Sequence, residues 1–162
     1  MKNETTFGKG PYDSIYIANY LINLASDKKE VMSIMRLMKL AYLSHGWNLA
    51  NYERPLLIDP FRAWRYGPVI PSMYYLFRDQ DRYNLVKIEC DKPCEIDDES
   101  KNLMTRVFDY YQSYNPYELI DLTHEKGSAW NKIYHGKNKN GIIPNSLIKR
   151  DFKNKMQSSN RQ

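Results

Sequence analysis

The spacing of apolar residues along the chain predicts a set of helices packed around one helix that is apolar on nearly all sides. In the segment that follows Ser33, apolar side chains recur at helical spacing on two faces: Ile34, Met38, Ala41, Leu37, Leu40 and Trp47. A helix that is apolar on two faces is usually the one that its neighbours pack around. We therefore predict a central, buried helix that begins after the N-cap residue Ser33 and ends near Tyr52.

Helix start and stop signals predict the other helices. The clearest signal combines Asn115 as N-cap, Pro116 in the first turn and Glu118 as the third residue of a capping box. Gly127 is expected to end that helix as a left-handed cap, and Asp98 is expected to begin another. The predicted helices besides the central one cover residues 14–25, 72–78, 99–111, 116–126 and 129–135, and a last helix follows residue 144.

Prolines and glycines interrupt residues 53–71 too often for a long helix. We expect short extended pieces at 56–58 and 61–66, and a small strand where apolar residues alternate at 83–89. The fold class is therefore mainly α: a compact bundle of six or seven helices around a central buried helix, with room for a short β-ribbon insertion. Residues 1–12 are predicted to be a flexible lead-in, 13–157 a single helical domain and 158–162 a polar tail.

Composition adds a weak indication of binding. The chain has 162 residues, 14 of them tyrosine, and a formal net charge of +5. Tyrosine suits contact surfaces because its ring can be buried while its hydroxyl stays wet. A positive charge of this size favours acidic proteins or nucleic acid as partners and says nothing about the fold. The acidic stretch at 89–99 and the basic C-terminal segment are interpreted as solvated.

The cysteines and histidines do not form a metal-binding pattern. Cys90 and Cys94 stand in C-x-x-x-C spacing, and the three histidines are scattered. A zinc site needs three or four ligands, usually with tighter cysteine spacing. No apolar signal segment or membrane-length apolar run is present in the sequence, so we expect a cytoplasmic protein with free thiols, no metal and no cofactor.

Catalytic motifs are also missing from the sequence. It has no nucleophile elbow, no phosphate-binding glycine loop and no H-E-x-x-H pair. His124 and Glu125 are the best candidates for a titrating pair, but no nucleophile can be placed beside them. We interpret His124 as a residue near a helix C-terminus, where the helix dipole favours positive charge, and the protein as non-enzymatic.

Arginine and aromatic residues alternate between residues 61 and 82. The cluster comprises Arg62, Arg65, Arg78, Arg82, Phe61, Trp64, Tyr66, Tyr74 and Tyr75. Such a mixture can hold a phosphate backbone and stack on bases. The same residue types also dominate the energetics of protein–protein interfaces. The residues alone therefore leave a protein partner and a nucleic-acid partner both open.

Three stretches, in this order, resemble the signatures of one bacterial family, the SocA-like antitoxins, also called Panacea-domain or phage-associated genetic-element proteins. Residues 35–47 are similar to its L-x-K-L-x-Y-x-x-x-G-W helix, 61–71 to its A-W-x-Y-G-P-V-x-P pattern and 119–130 to its L-S-x-L-T-H-x-x-x-P-W pattern. The resemblance spans residues 13–153. One departure is Ala129, which stands where the family usually has proline; Ser128 can still cap the helix that follows.

The resemblance implies a helical antitoxin of a type II toxin–antitoxin pair that neutralises a co-encoded toxin by direct contact. The family hosts very different toxins on one scaffold, and its founding member also acts as an adaptor that delivers the toxin to a protease. The partners implied are thus a cognate toxin and, by that precedent, a protease. A nucleic-acid-binding accessory protein of a phage or mobile element remains the alternative, and no membrane partner is expected.

The positions that match the signatures are Lys39, Tyr42, Gly46, Trp47, Trp64, Tyr66, Gly67, Pro68, Thr123, His124 and Trp130. We interpret them as structural, since large rings rarely remain wholly outside a fold. Partner contacts are instead predicted from residue type at Arg62, Arg65, Tyr74, Tyr75 and Arg78.

Overall fold

The computed structural model describes residues 10–92 and 94–160. Within those ranges it contains seven helices and three short strands: α1 (Ser14–Asp27), α2 (Ile34–Tyr52), β1 (Phe61–Trp64), β2 (Gly67–Val69), α3 (Pro71–Phe77), α4 (Asp98–Tyr110), α5 (Pro116–His124), α6 (Ala129–Tyr134), β3 (Ile142–Ile143) and α7 (Asn145–Asn160). The predicted mainly α class is confirmed. None of the described helices is both long and apolar enough to cross a membrane.

Helix α2 forms the centre of the bundle, as predicted. Every residue from 37 to 50 is buried except Trp47, which is half-buried. Helices α1, α3, α4, α5 and α7 and strand β2 all pack against α2. The apolar character of this segment on several faces fits these neighbours, because most of α2 between residues 37 and 50 faces another element instead of water.

The helix caps show how local sequence sets the element boundaries. Ser33 accepts a hydrogen bond from the Arg36 amide, and Asn115 and Glu118 form the predicted capping box. Two predictions need correction. The N-cap of α4 is Asp97, whose carboxylate accepts from the Ser100 amide, and not Asp98. Helix α5 ends at His124, two residues before the predicted end.

The β-ribbon is a three-stranded antiparallel sheet with the order β2-β1-β3. The predicted strand at 83–89 is wrong, since the structure has no strand there. Its amides find separate partners instead of a neighbouring strand: Val86 N donates to Gln80 Oε1, Ile88 N donates to Asn19 Oδ1, and Leu85 N donates to the carbonyl of Met32. The sheet is completed by residues 142–143, which come just before α7.

The chain ends add to the packed structure where they are described. Most of the predicted flexible lead-in, residues 1–9, lies outside the described residues. Tyr12 is buried, pairs with Leu57 in a parallel bridge and donates its hydroxyl to Asp97, 2.5 Å away. At the other end, α7 continues to Asn160; residues 161–162 of the predicted polar tail lie outside the described range.

His45 joins three parts of the fold from the middle of α2. Its Nδ1 accepts a hydrogen bond from the Leu57 amide at 3.3 Å, so the ring proton is on Nε2, which donates to Asn145 Oδ1 at 2.8 Å. Burial of the ring lowers the pKa of His45 to about 4. The folded state therefore holds a neutral imidazole over a pH range in which the unfolded chain is protonated.

We expect this histidine to make the fold sensitive to acid. The unfolded pKa is near 6.5, so the stabilisation is complete above that value and is lost as the pH falls towards 4, by about 3 kcal/mol in all. Urea denaturation of the wild type and of His45→Gln between pH 4 and 7 measures it, because the carboxylates common to both chains cancel in the difference. Identical pH dependence of the two chains would contradict the assignment.

Candidate functional site

A groove of about 620 Å³ opens between the N-terminal half of α2, the β1–β2 hairpin and α3. Its walls combine apolar and aromatic side chains with four cationic ones. We call this cavity the α2 groove; it is lined by Ile34, Met35, Met38, Lys39, Trp64, Arg65, Tyr66, Val69, Tyr74, Arg78, Arg82 and Asn140. Its volume is in the range of sites that enclose a ligand or a partner's side chains.

Lys39 lies in the wall of the α2 groove and is almost fully buried, with 1% of its surface exposed. Its ammonium makes one hydrogen bond within the described residues, to the carbonyl of Pro68 at 3.3 Å. Burial of the amine lowers the pKa of Lys39 to about 7. An ammonium has three N–H donors, so the fold compensates the charged form of Lys39 less than water does.

The β1–β2 turn covers Lys39 because residue 67 is glycine. Gly67 has φ +116°, a conformation that L side chains rarely adopt. A Cβ at this position would lie 2.6 Å from Lys39 Cε and 3.1 Å from Thr123 Oγ1. Only a glycine therefore allows the hairpin backbone to close over the lysine, and Pro68 then presents its carbonyl to the ammonium.

A stack of aromatic rings from α5 and α6 packs against the β1–β2 hairpin. His124 lies flat on Trp130, with ring centroids 3.7 Å apart, and Trp130 stacks in turn on Tyr134. The indole N–H of Trp130 donates to the carbonyl of Trp64 at 2.7 Å. His124 Nε2 is buried and has no hydrogen-bond partner among the described residues. Burial, and then the nearby charge of Lys39, lower the pKa of His124.

The predicted contact residues surround the α2 groove. Tyr74 packs edge-to-face on Trp64, and the Arg78 guanidinium lies over the ring of Tyr75, 5.1 Å from its centroid. Arg65 lies over Tyr66 in the same way. Arg65, Tyr74 and Arg78 line the groove itself. Tyr75 stands beside it with 53% of its surface exposed, and Arg62 donates to the carbonyl of Asn140.

The signature positions fall into two groups. Lys39, Trp64, Tyr66, Gly67, Pro68, Thr123, His124 and Trp130 lie in or directly around the groove and the hairpin. Among them Tyr66 is 58% exposed, so its ring is available at the groove's edge.

The second group packs against α7, away from the groove. The ring of Phe152 is 5.7 Å from that of Tyr42 and 5.1 Å from that of Trp47. It also lies so close to Gly46 that a Cβ there would be 2.3 Å from a ring carbon. Burial raises the pKa of the Tyr42 hydroxyl, which has no partner among the described residues. These residues hold the central helix to α7.

Sequence reasoning missed part of the groove. Met35, Met38 and Val69 have apolar side chains that the helical pattern assigns to the core, yet they also line the cavity. Arg82 belongs to the arginine cluster of the sequence but is not among the predicted contact residues. Lys39 is the sequence signal that points to the groove, because lysine is almost never fully buried inside an apolar helix unless it has a partner.

The arrangement of charges suits binding of an anionic group. No aspartate or glutamate lines the groove. Within residues 10–92 and 94–160, no group of three or more His, Cys, Asp or Glu side chains is placed to hold a metal ion, and both cysteines are free thiols.

Comparison with known proteins gives two matches. Residues 37–131 match the family model described as "Antitoxin SocA-like, Panacea domain". The chain is also 26% identical over 134 residues to the protein named Antitoxin SocA from Caulobacter vibrioides, a similarity that covers 76% of this chain and 71% of that protein. No solved structure matches the chain. The matched range contains the signature positions of all three stretches.

Proposed function

Because the chain belongs to the SocA-like antitoxin family and carries its Panacea domain, we propose that it neutralises a co-encoded toxin by binding that toxin directly. Membership supports an antitoxin role and implies a cognate toxin as partner. Direct contact needs neither catalysis nor a protease, so purified antitoxin and toxin are expected to form a complex by themselves. The encounter is proposed to take place in the cytoplasm.

The observation that carries this proposal is the α2 groove. It places arginine, tryptophan and tyrosine side chains around one apolar cavity, and these are the residue types that contribute most to protein–protein affinity. Tyr75 lies next to the groove, and its ring and the Arg78 guanidinium pack on each other. We define the contact face as the α2 groove together with Arg62 and Tyr75.

Co-expression with each neighbouring gene tests the proposed function. One neighbour is expected to arrest growth when expressed alone, to lose that toxicity when this chain is present, and to co-elute with it in size-exclusion chromatography. If neither neighbour is toxic, or if a toxic neighbour forms no complex with the purified chain, the proposed function is wrong.

A tyrosine pair tests the contact face. Tyr75→Ala is expected to weaken toxin binding tenfold or more, because removing an aromatic ring that the partner covers costs about 2 kcal/mol. Tyr117→Ala is the matched control: Tyr117 is 74% exposed, in the first turn of α5, and does not line the groove. Isothermal titration calorimetry measures both. Equal losses in the two variants would contradict the assignment of the face.

A further inference from the structure

The cations around the α2 groove differ from Arg36 and Arg54 in having no acidic partner among the described residues. Arg36 pairs with Glu30, and Arg54 pairs with Glu99. Arg65, Arg78 and Arg82 make no ion pair with any described residue, although all three line one cavity. Like charges brought together without a counter-ion repel one another, so this arrangement favours the arrival of a negative group.

The buried lysine strengthens this preference. Lys39 adds a fourth basic group in the groove wall, and its ammonium form has three N–H donors, of which one has a partner within the described residues. Charge interactions are stronger here than in water because the surrounding protein has a lower effective dielectric constant. An anion in the groove would stabilise the ammonium form of Lys39, which burial disfavours.

The apolar and aromatic walls of the α2 groove indicate which chemical group of the partner carries the negative charge. Met35, Met38 and Val69 give the groove an apolar lining, and Trp64 and Tyr74 add two aromatic faces. A carboxylate on an apolar stem with apolar neighbours matches such walls, and arginine binds carboxylates through two parallel hydrogen bonds. A nucleic-acid backbone instead needs a row of cations that follows successive phosphates. One apolar-walled groove fits the acidic side chain better.

We propose that an aspartate or glutamate on the contact segment of the toxin enters the α2 groove and pairs with Arg65, Arg78 and Arg82 beside Lys39. This inference rests on the proposed function, because it identifies the chemistry by which the toxin is recognised. It also predicts what different toxins recognised by this chain would share: one acidic side chain within an apolar contact segment.

A double-mutant cycle with the toxic neighbour's product tests the proposal. Arg78→Gln is expected to weaken binding about tenfold, whereas Arg106→Gln is expected to change it by less than twofold. Arg106 is the matched control because it is an exposed arginine that lies against Tyr52, at the other end of α2. Each aspartate and glutamate of the toxin is then replaced by its amide. One amide variant is expected to lose about tenfold against the wild type and clearly less against Arg78→Gln, in which Arg65 and Arg82 remain.

The outcomes separate this inference from the proposed function. If the wild type forms no complex, the proposed function fails. If the complex forms and every toxin amide variant binds within twofold of the unmodified toxin, the function stands and the acidic-contact inference is wrong. Binding of a labelled DNA duplex with a steep salt dependence would overturn the inference in favour of nucleic acid. A rise in melting temperature with 10 mM phosphate in the wild type, absent in Arg78→Gln, would overturn it in favour of a small-anion site.

Discussion

Replacing Lys39 with methionine is expected to raise the free energy of unfolding at pH 7 by about 2 kcal/mol and, in the same variant, to weaken toxin binding about tenfold. Burial lowers the pKa of this lysine from 10.5 to about 7, so holding it in the fold at pH 7 costs about 4 kcal/mol. Methionine avoids that cost. It also removes the hydrogen bond to the Pro68 carbonyl, which offsets about 1–2 kcal/mol of the gain.

The pH dependence of this effect has a definite sign. The pKa of Lys39 is lower in the folded state than in the unfolded state. Burying this lysine therefore costs no stability above pH 10.5, and it lowers the free energy of unfolding increasingly as the pH falls towards 7. The advantage of Lys39→Met over the wild type should therefore disappear by pH 10. Urea denaturation at pH 7 and pH 10 measures this difference, with the exposed Lys132→Met as the control.

The stability and binding results together identify the role of Lys39. A lysine kept only for packing would give a variant that is less stable or equally stable. A lysine kept for recognition should give a more stable protein that binds less well, as is common where function requires an unfavourable local arrangement. Destabilisation by Lys39→Met, or full toxin affinity in a stabilised variant, would contradict the role given to this residue.

Replacing Gly46 with alanine is expected to lower the free energy of unfolding by about 3 kcal/mol. Helix propensity alone predicts the opposite, a gain of about 1 kcal/mol for alanine over glycine inside a helix. The clash decides the sign, because the new Cβ would lie 2.3 Å from Phe152 Cε2. The phenyl ring has little room to move, since Tyr42 and Trp47 pack against it.

A second substitution tests the cause of this loss. In the Phe152→Leu background the ring is gone, so Gly46→Ala should cost clearly less than it does in the wild type, as chemical denaturation of the four chains would show. If Gly46→Ala stabilises the protein, or costs the same in both backgrounds, the close contact between α2 and α7 is not what requires glycine.

Features that depend on local sequence were predictable. The central helix, the Ser33 cap and the Asn115–Glu118 capping box follow from patterns within a few residues of one another. The strand expected at 83–89 is wrong because alternation alone does not supply a neighbouring strand. The amides of Val86 and Ile88 donate to the side chains of Gln80 and Asn19 instead. Local pattern fixes helices better than it fixes strand pairing.

The groove depends on long-range packing and could be predicted only in part. Residue type alone placed Arg65, Tyr74 and Arg78 in one contact set, and the structure brings these three together around one cavity. The sequence pattern favours a structural role for the signature residue Lys39. Its place in a cationic groove depends on how α2, the hairpin and α5 pack together. A spacing pattern cannot show that residues 39, 67 and 123 meet.

Site-specific photocrosslinking tests most directly the claim that the α2 groove is where the toxin binds. A benzophenone side chain at position 66, which is exposed at the edge of the groove, is compared with one at position 110. Tyr110 is 71% exposed and lies near Asn51. Asn51 is about 20 Å along α2 from the part of that helix that lines the groove. Irradiation of each purified complex should crosslink the toxin efficiently from position 66 and weakly or not at all from position 110. Crosslinking from position 110 with none from position 66 would contradict the account.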